Sequence, residues 1–279
     1  MKPPVGYFGG KTSIARQIAT LLPEHEHYVE PFGGSLAVLM AKPRSAMETV
    51  NDLEHDLMTF WRVLREQPAE LERRCALTPH SRAELQAAYD PASSDIETAR
   101  RVFVRLTQGR GNHIAAGRRA GWRHHQDARR REGGMPARLA SFVARIAPAA
   151  ERLADVSLEC LPALDLIAGY GKHATTLLYV DPPYLGLVRQ DCRQDYGHDM
   201  RSPADHRELA EALTAAAAAV VVSGYHSDLY GELYDGWHQA EITTHAGNAR
   251  RPERTEVLWS NRPFPHRQST FDELAAASP

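Results

Sequence analysis

The stretch Leu177-Leu178-Tyr179-Val180-Asp181-Pro182-Pro183-Tyr184 constrains this chain more than any other. Apolar residues with strong β preference stop at an acid, two prolines and an aromatic ring, the pattern of a buried strand that ends where the chain must turn. Each proline fixes φ and carries no N–H, so carbonyls around it are free to accept hydrogen bonds from another partner. Ligands of open α/β sheets bind beyond the carboxyl ends of the strands, which makes an acid and a ring at such an edge a site candidate. Taken alone, the same residues also describe a strand followed by a Pro-rich turn.

A length of 279 residues, 43% of them hydrophobic, suits one large or two small domains with a real core. No apolar run approaches the ~20 residues of a membrane span, and the N-terminus lacks the basic-then-apolar layout of a signal peptide, so a cytoplasmic protein is expected. Cys75, Cys160 and Cys192 form no CxxC pair, which argues against structural disulfides and a zinc site. The net charge of -2 hides an asymmetry. Between Arg100 and Arg145 there are twelve arginines, no lysine and two acids, Asp127 and Glu132, a local charge of +10 that leaves -12 on the remainder. Such a block is either a solvated, flexible stretch or a phosphate-binding surface. Arginine in place of lysine favours the second, because the guanidinium fork matches phosphates and guanine edges in a bidentate manner.

Elsewhere strands and helices alternate. Gly6-Tyr7-Phe8-Gly9-Gly10-Lys11 precedes a helix over 13–22 that Pro23 ends, a layout able to cradle an anion or a carboxylate but lacking the spacing of a P-loop. Tyr28-Val29-Glu30-Pro31-Phe32-Gly33-Gly34-Ser35 reads as strand and Gly-rich turn leading into a helix over 36–41. Residues 47–50 form another strand, ended by Asn51-Asp52; an acid there can hydrogen-bond a ribose or simply cap the next helix. Leu57, Phe60, Trp61, Leu64 and Leu71 make one helical stripe over 56–74. Helices are expected over 82–89 and 97–106, then a Gly- and Arg-rich loop over 107–136, then a helix over 142–153 with a break or kink at Pro148. A strand over 155–161 and a short helix over 164–168 lead to the opening stretch. A polar loop over 185–200, a helix over 205–218 and a strand over 219–223 follow. Residues 241–244 and 255–259 pair as antiparallel strands around a turn that holds Arg250 and Arg251, and the chain frays past Asn261. The economical architecture is a parallel-dominated α/β sheet with helices on both faces and an inserted lobe of roughly 90 residues.

Read together and in this order, Tyr7-Phe8-Gly9-Gly10-Lys11, Glu30-Pro31-Phe32-Gly33-Gly34, Asn51-Asp52 and Asp181-Pro182-Pro183-Tyr184 resemble the Dam-like class of adenine-N6 DNA methyltransferases. The similarity continues through Val221-Val222-Ser223-Gly224-Tyr225 and Arg254-Thr255-Glu256-Val257-Leu258-Trp259 and misses only the basic insertion. It implies a Rossmann-like methyltransferase sheet, mostly parallel with an antiparallel strand near the C-terminus, and an inserted, mainly helical target-recognition lobe. Residues 1–62 and 150–262 would form the catalytic domain, 63–149 the target-recognition domain and 263–279 a tail.

The resemblance also implies S-adenosylmethionine as methyl donor, held by Tyr7, Gly9, Gly10, Lys11, Glu30, Phe32, Gly33, Gly34, Asp52 and Asp181. Leu36 departs from the pattern by standing where many relatives have a further glycine. No acid occupies the third-strand position at Leu161-Pro162, so contacts to the cofactor's adenine would be backbone and apolar. Asp181, Pro182, Pro183 and Tyr184 would form the catalytic set. Adenine's exocyclic nitrogen is a poor nucleophile, and acceptance of both its hydrogens by the Asp181 carboxylate and the Pro182 carbonyl frees its lone pair. Tyr184 would stack on a base extruded from the duplex.

Double-stranded DNA is the implied partner, contacted by Arg105, Arg110, Asn112, Arg118, Arg119, Trp122, Arg123, Arg189, Tyr196, Arg250 and Arg251. His124 and His125 belong to the basic face, and no metal is implied. The expected protein is a monomer acting alone or beside a separate restriction endonuclease. The same chemistry on RNA or on cytosine N4, and a DNA-binding relative without catalysis, are the alternatives.

Overall fold

A computed structural model of the protein describes residues 1–112, 114, 119–124, 134–184, 200, 202–244 and 254–265. Among the described residues seven strands form one sheet in the order β3-β2-β1-β4-β5-β7-β6. The first five, β1 (His27–Glu30), β2 (Met47–Asn51), β3 (Val156–Glu159), β4 (Thr176–Val180) and β5 (Ala219–Gly224), are parallel. β7 (Arg254–Ser260) runs antiparallel between β5 and β6 (His238–Thr244). From β1 the chain builds outward to β2 and β3, then returns to lay β4 on the other side of β1. Strand order therefore reverses between β1 and β4, where a doubly wound sheet opens a crevice at its carboxyl edge.

Every residue of β4 and β5 is buried, as the central strands of a sheet covered on both faces must be. The period of two sorts their side chains. Leu177, Tyr179 and Val221 join a core built with α1 (Ala15–Leu21), α2 (Ala37–Ala41), α3 (His55–Glu66), α4 (Pro68–Leu77), α6 (Asp95–Gln108) and α8 (Ile146–Leu153). Leu178, Val180, Val220 and Val222 join the opposite one, with α9 (Ala163–Tyr170), α10 (Pro203–Thr214) and α11 (Asp228–Leu233). The first core runs without a break from the sheet through Phe60 and Trp61 into Val102, Phe103 and Phe142. The helices inserted between β2 and β3 thus share their packing with the sheet.

Several boundaries differ from the sequence pattern; the helix expected over 205–218, for one, is α10 and ends at Thr214, ahead of the Ala215–Ala218 turn into β5. The stripe over 56–74 belongs to two helices, because the chain turns out of helical geometry at Gln67 and restarts with Pro68 at the first position of α4, where a missing N–H costs nothing. The break expected at Pro148 lies upstream at Ala144-Arg145; Pro148 sits in the first turn of α8, whose N–H groups lack intrahelical partners in any case. Finally, α7 (Gly134–Val143) begins inside the segment read as loop and buries Met135, Leu139, Phe142 and Val143 on one face. α5 (Arg82–Ala87) follows its expected course, capped by the Ser81 hydroxyl.

Under the amino half of β2 lies a buried ionic cluster. Glu48 accepts hydrogen bonds from Lys42 Nζ at 2.6 Å, from the Ser45 N–H at 3.1 Å, and from both terminal nitrogens of Arg152. Lys42 Nζ also lies 4.6 Å from the centre of the Tyr28 ring. Two cations from the 42–45 turn and α8 are thereby fixed to one carboxylate of the sheet. No described helix is long and apolar enough to cross a membrane.

Candidate active site

A cleft of about 360 Å³ opens at the carboxyl ends of β1, β2 and β4, where the strand order predicts it. Its lining includes Tyr7, Gly9, Gly10, Lys11, Glu30, Phe32, Gly33, Gly34, Asp52, Asp181, Pro182, Pro183 and Tyr184, which brings the expected cofactor and catalytic residues to one place.

The turn after β1 shows why glycine is required there. Gly33 donates its N–H to the Asn51 carbonyl at 2.7 Å, and a Cβ on it would stand 2.9 Å from that oxygen. Gly34 has φ +49°, and its Cβ would lie 2.9 Å from the Tyr7 ring. Leu36 adopts the same left-handed region, φ 53° and ψ 35°, with a fully buried side chain. A left-handed non-glycine residue costs about 1–2 kcal/mol, and burying leucine contributes about 1.5–3 kcal/mol. The turn therefore keeps its path with leucine at this position.

At the end of β2, Asp52 accepts the Gly34 N–H at 2.9 Å on one oxygen and the Glu54 N–H at 3.0 Å on the other, which fixes its carboxylate beside the glycine turn. Asn51, to which the sequence reading gave no role, braces three strand ends: its amide donates to Pro31 and Leu161 carbonyls and accepts the Leu161 N–H. Leu161, Pro162, Ala163 and Leu164 close that side of the cleft with apolar surface and backbone. A glycine cradle, a fixed acid and an apolar wall fit a nucleoside cofactor. Gly34→Ala, which pushes a methyl group into Tyr7 at a left-handed position, is expected to weaken cofactor binding about tenfold or more, measured by calorimetry.

The other end of the cleft is densely charged. Lys11 Nζ lies 2.5 Å from Asp181 Oδ1, 2.6 Å from the Tyr184 hydroxyl and 3.4 Å from Glu256 Oε1. Ser223 donates to Glu256 at 2.7 Å, and the Tyr184 ring stacks on Tyr225 with centroids 4.6 Å apart. Burial pushes the Asp181 carboxyl up, while Lys11 and the Ser223 hydroxyl draw it back. Burial would lower Lys11, but Asp181 and Glu256 outweigh it and hold the ammonium firmly protonated. Burial, with the Asp181 charge beside it, raises Glu30 to about 8, although the Tyr28 hydroxyl bonds it at 3.0 Å. Ser223, Tyr225 and Glu256 were assigned no task in the sequence. The available signal was Glu256 itself, a charge inside the apolar run of β7.

A family model for the D12 class of N6 adenine-specific DNA methyltransferases matches residues 7–97 and 141–247. The chain belongs to that family. No curated protein matches it. Among solved structures it is similar to a precorrin-8w decarboxylase of Methanobacterium thermoautotrophicum, at 10% identity over 93% of this chain and 95% of the other, with a TM-score of 0.38. It is also similar to an rRNA methyltransferase of Streptomyces viridochromogenes, at 15% identity over 93% and 88%, with a TM-score of 0.36. Both likenesses are distant, and membership rests on the family match.

The part of this D12-class chain left unmatched, 98–140, contains eleven of the twelve clustered arginines. They do not share one role. Arg105 is buried; it donates to Asp56 at 2.6 Å and to the Ile114 carbonyl at 2.9 Å, so the expectation that it touches DNA is corrected to an anchor for the loop. Trp122 is half-buried and its ring stacks on His80 and on His124, with Arg82 5.1 Å from its centre. Arg119 pairs with Asp90 at 3.2 Å on the surface. Arg110 is exposed and Arg123 donates to Asn112 at 2.6 Å. The Asn112 carbonyl in turn accepts the Phe8 N–H at 3.1 Å, which ties the basic loop to the first cofactor motif. Arg138 and Arg145, overlooked in the sequence, flank the Phe142 ring at 5.4 and 5.1 Å. Burial and the guanidiniums of Arg138 and Arg110 hold Arg123 below its ordinary value, the mark of cations crowded together. Arg118, Arg189, Tyr196, Arg250 and Arg251 lie outside the described residues.

Proposed function

We propose that this D12-class methyltransferase methylates N6 of an adenine turned out of duplex DNA at a specific sequence. The observation that carries the reading is the Asp181 carboxylate, 18% exposed at the end of β4, beside two prolines and the Tyr184 ring, in the cleft that holds the glycine cradle. Asp181 and the Pro182 carbonyl accept the two amino hydrogens, so the nitrogen lone pair is released and the developing cation meets a fixed anion. Tyr184 offers a ring face to the extruded base, and stacking worth ~1–3 kcal/mol offsets much of the cost of unpairing it. S-adenosylmethionine, held by Tyr7, the two Gly-Gly turns, Glu30, Phe32 and Asp52, supplies the electrophilic methyl group when bound. The enclosed walls of the cleft keep water from competing and fix the angle of approach.

The segment 63–149 serves as target-recognition lobe. Its basic face comprises Arg110, Arg119 and Arg123 with Arg138 and Arg145, and the bond from the Phe8 N–H to the Asn112 carbonyl, which joins the basic loop to the first cofactor motif, supports a place for that face near the cleft. The enzyme works as a cytoplasmic monomer, alone or beside a separate restriction endonuclease. Acidic Asp181 favours adenine over cytosine N4, and the intact acid, ring and cradle favour an active enzyme over a binding relative. Labelled methyl groups are expected to enter unmodified genomic DNA and not total RNA; labelling of RNA alone rejects the duplex substrate.

A further inference from the structure

The first motif marks Lys11 as a cofactor ligand, yet its ammonium is spent elsewhere. It donates to Asp181, Tyr184 and the Gly9 carbonyl at 2.5, 2.6 and 3.3 Å, and its side chain is 4% exposed. An ammonium has three donors, and these contacts use them. The bond to Asp181 Oδ1 is of the kind an adenine amino group would make on the same carboxylate. A lysine that stayed there during transfer would already neutralise Asp181 and would repel the cation forming on the base.

The surroundings supply a second berth. Glu256 Oε1 lies 3.4 Å from Lys11 Nζ, is buried, and receives the Ser223 hydroxyl. The groups around the ammonium are Asp181 on the β4 end, Tyr179 within β4, Ser223 on β5, Glu256 on β7 and the stacked Tyr184 and Tyr225 rings. The carboxyls of Asp181 and Glu256 face one cation. The positive charge that develops on N6 of a base held at Asp181 as the methyl group transfers would restore the balance, with each carboxylate matched to one positive charge.

We propose that Lys11 is a positioning residue: it holds Asp181 in the waiting site and passes to Glu256 when the target adenine takes Asp181, so that Glu256 is needed for base entry without touching the base. The proposal rests on Asp181 being the amine acceptor. It is tested with Lys11→Met and Glu256→Gln on a duplex carrying the mapped target site, with 2-aminopurine in place of the target to report extrusion.

In Lys11→Met the cofactor Kd should stay within about threefold of the parent. Its kcat at neutral pH should fall about tenfold or more and recover on the alkaline side, because a largely desolvated Asp181 without its ammonium partner ionises only at higher pH. In Glu256→Gln the acid limb should stay in place while 2-aminopurine extrusion and kcat fall about tenfold, since the lysine has nowhere to go. A Lys11→Met protein that loses about tenfold in cofactor affinity with an unmoved acid limb overturns the proposal. So does a Glu256→Gln protein with parental extrusion and kcat. Asp181→Asn separates the layers: retained activity there removes the acceptor reading itself, whereas an inactive Asp181→Asn beside parental Lys11 and Glu256 variants removes only the handover.

Discussion

Asp181→Asn is expected to lower single-turnover methyl transfer by about 10³-fold or more, with folding and cofactor binding retained. The substitution keeps size and shape at the end of β4 but removes the charge that opposes the developing cation. It also turns a possible acceptor into an NH₂ donor aimed at another amine. Loss of a single preorganised hydrogen bond at a reacting centre costs about 10²–10³ in rate, and loss of an ionic partner in a water-poor cleft should lie at or beyond the upper end. The fold should survive, because Lys11 keeps Glu256 3.4 Å away as a second anion. Calorimetry with the cofactor and a thermal melt on the same preparation separate a chemical defect from an unfolded one.

The second large effect concerns stability. Glu48→Ala leaves Lys42 and Arg152 buried without their shared carboxylate, and removing one partner of such a group costs about 3–5 kcal/mol, much of the ~5–15 kcal/mol that holds a typical domain together. Burial works to raise the Glu48 carboxyl, but the bonds from Arg152, Lys42 and the Ser45 N–H outweigh it and hold it below its ordinary value. A group depressed in this way contributes stability above the carboxylate value of the unfolded chain, near 4.3, and loses it as pH falls through its folded value. Urea unfolding should therefore show a smaller midpoint for the variant at neutral pH and a shallower loss of stability on the acid side. Equal acid slopes in the two proteins would place the stabilising charge elsewhere.

Much of this was legible in the chain. Central parallel strands are buried on both faces and read as unbroken apolar runs, which is why residues 177–180 and 219–223 stood out. Turns that tolerate no Cβ must be glycine, so Gly33 and Gly34 marked the cradle, and the acids Asp52 and Asp181 were recognisable at the ends of strands. What stayed hidden depends on partners distant in sequence. Charge counting treats every arginine alike and cannot see that Arg105 meets Asp56, 49 residues away, or that Arg138 and Arg145 flank the Phe142 ring. Leu64 and Leu71 fit one helical stripe whether or not Pro68 restarts the helix between them. Lys11 reads as part of a glycine motif, and only the closing of β4 and β7 over the N-terminal loop brings Asp181 and Glu256 to its ammonium.

The most direct test is nucleoside analysis of duplex DNA after reaction with methyl-labelled S-adenosylmethionine, run in parallel for the parent protein and Asp181→Asn. The label should appear in N6-methyldeoxyadenosine with the parent and be absent with the variant. Label in N4-methyldeoxycytidine, or equal labelling by the two proteins, would contradict the account.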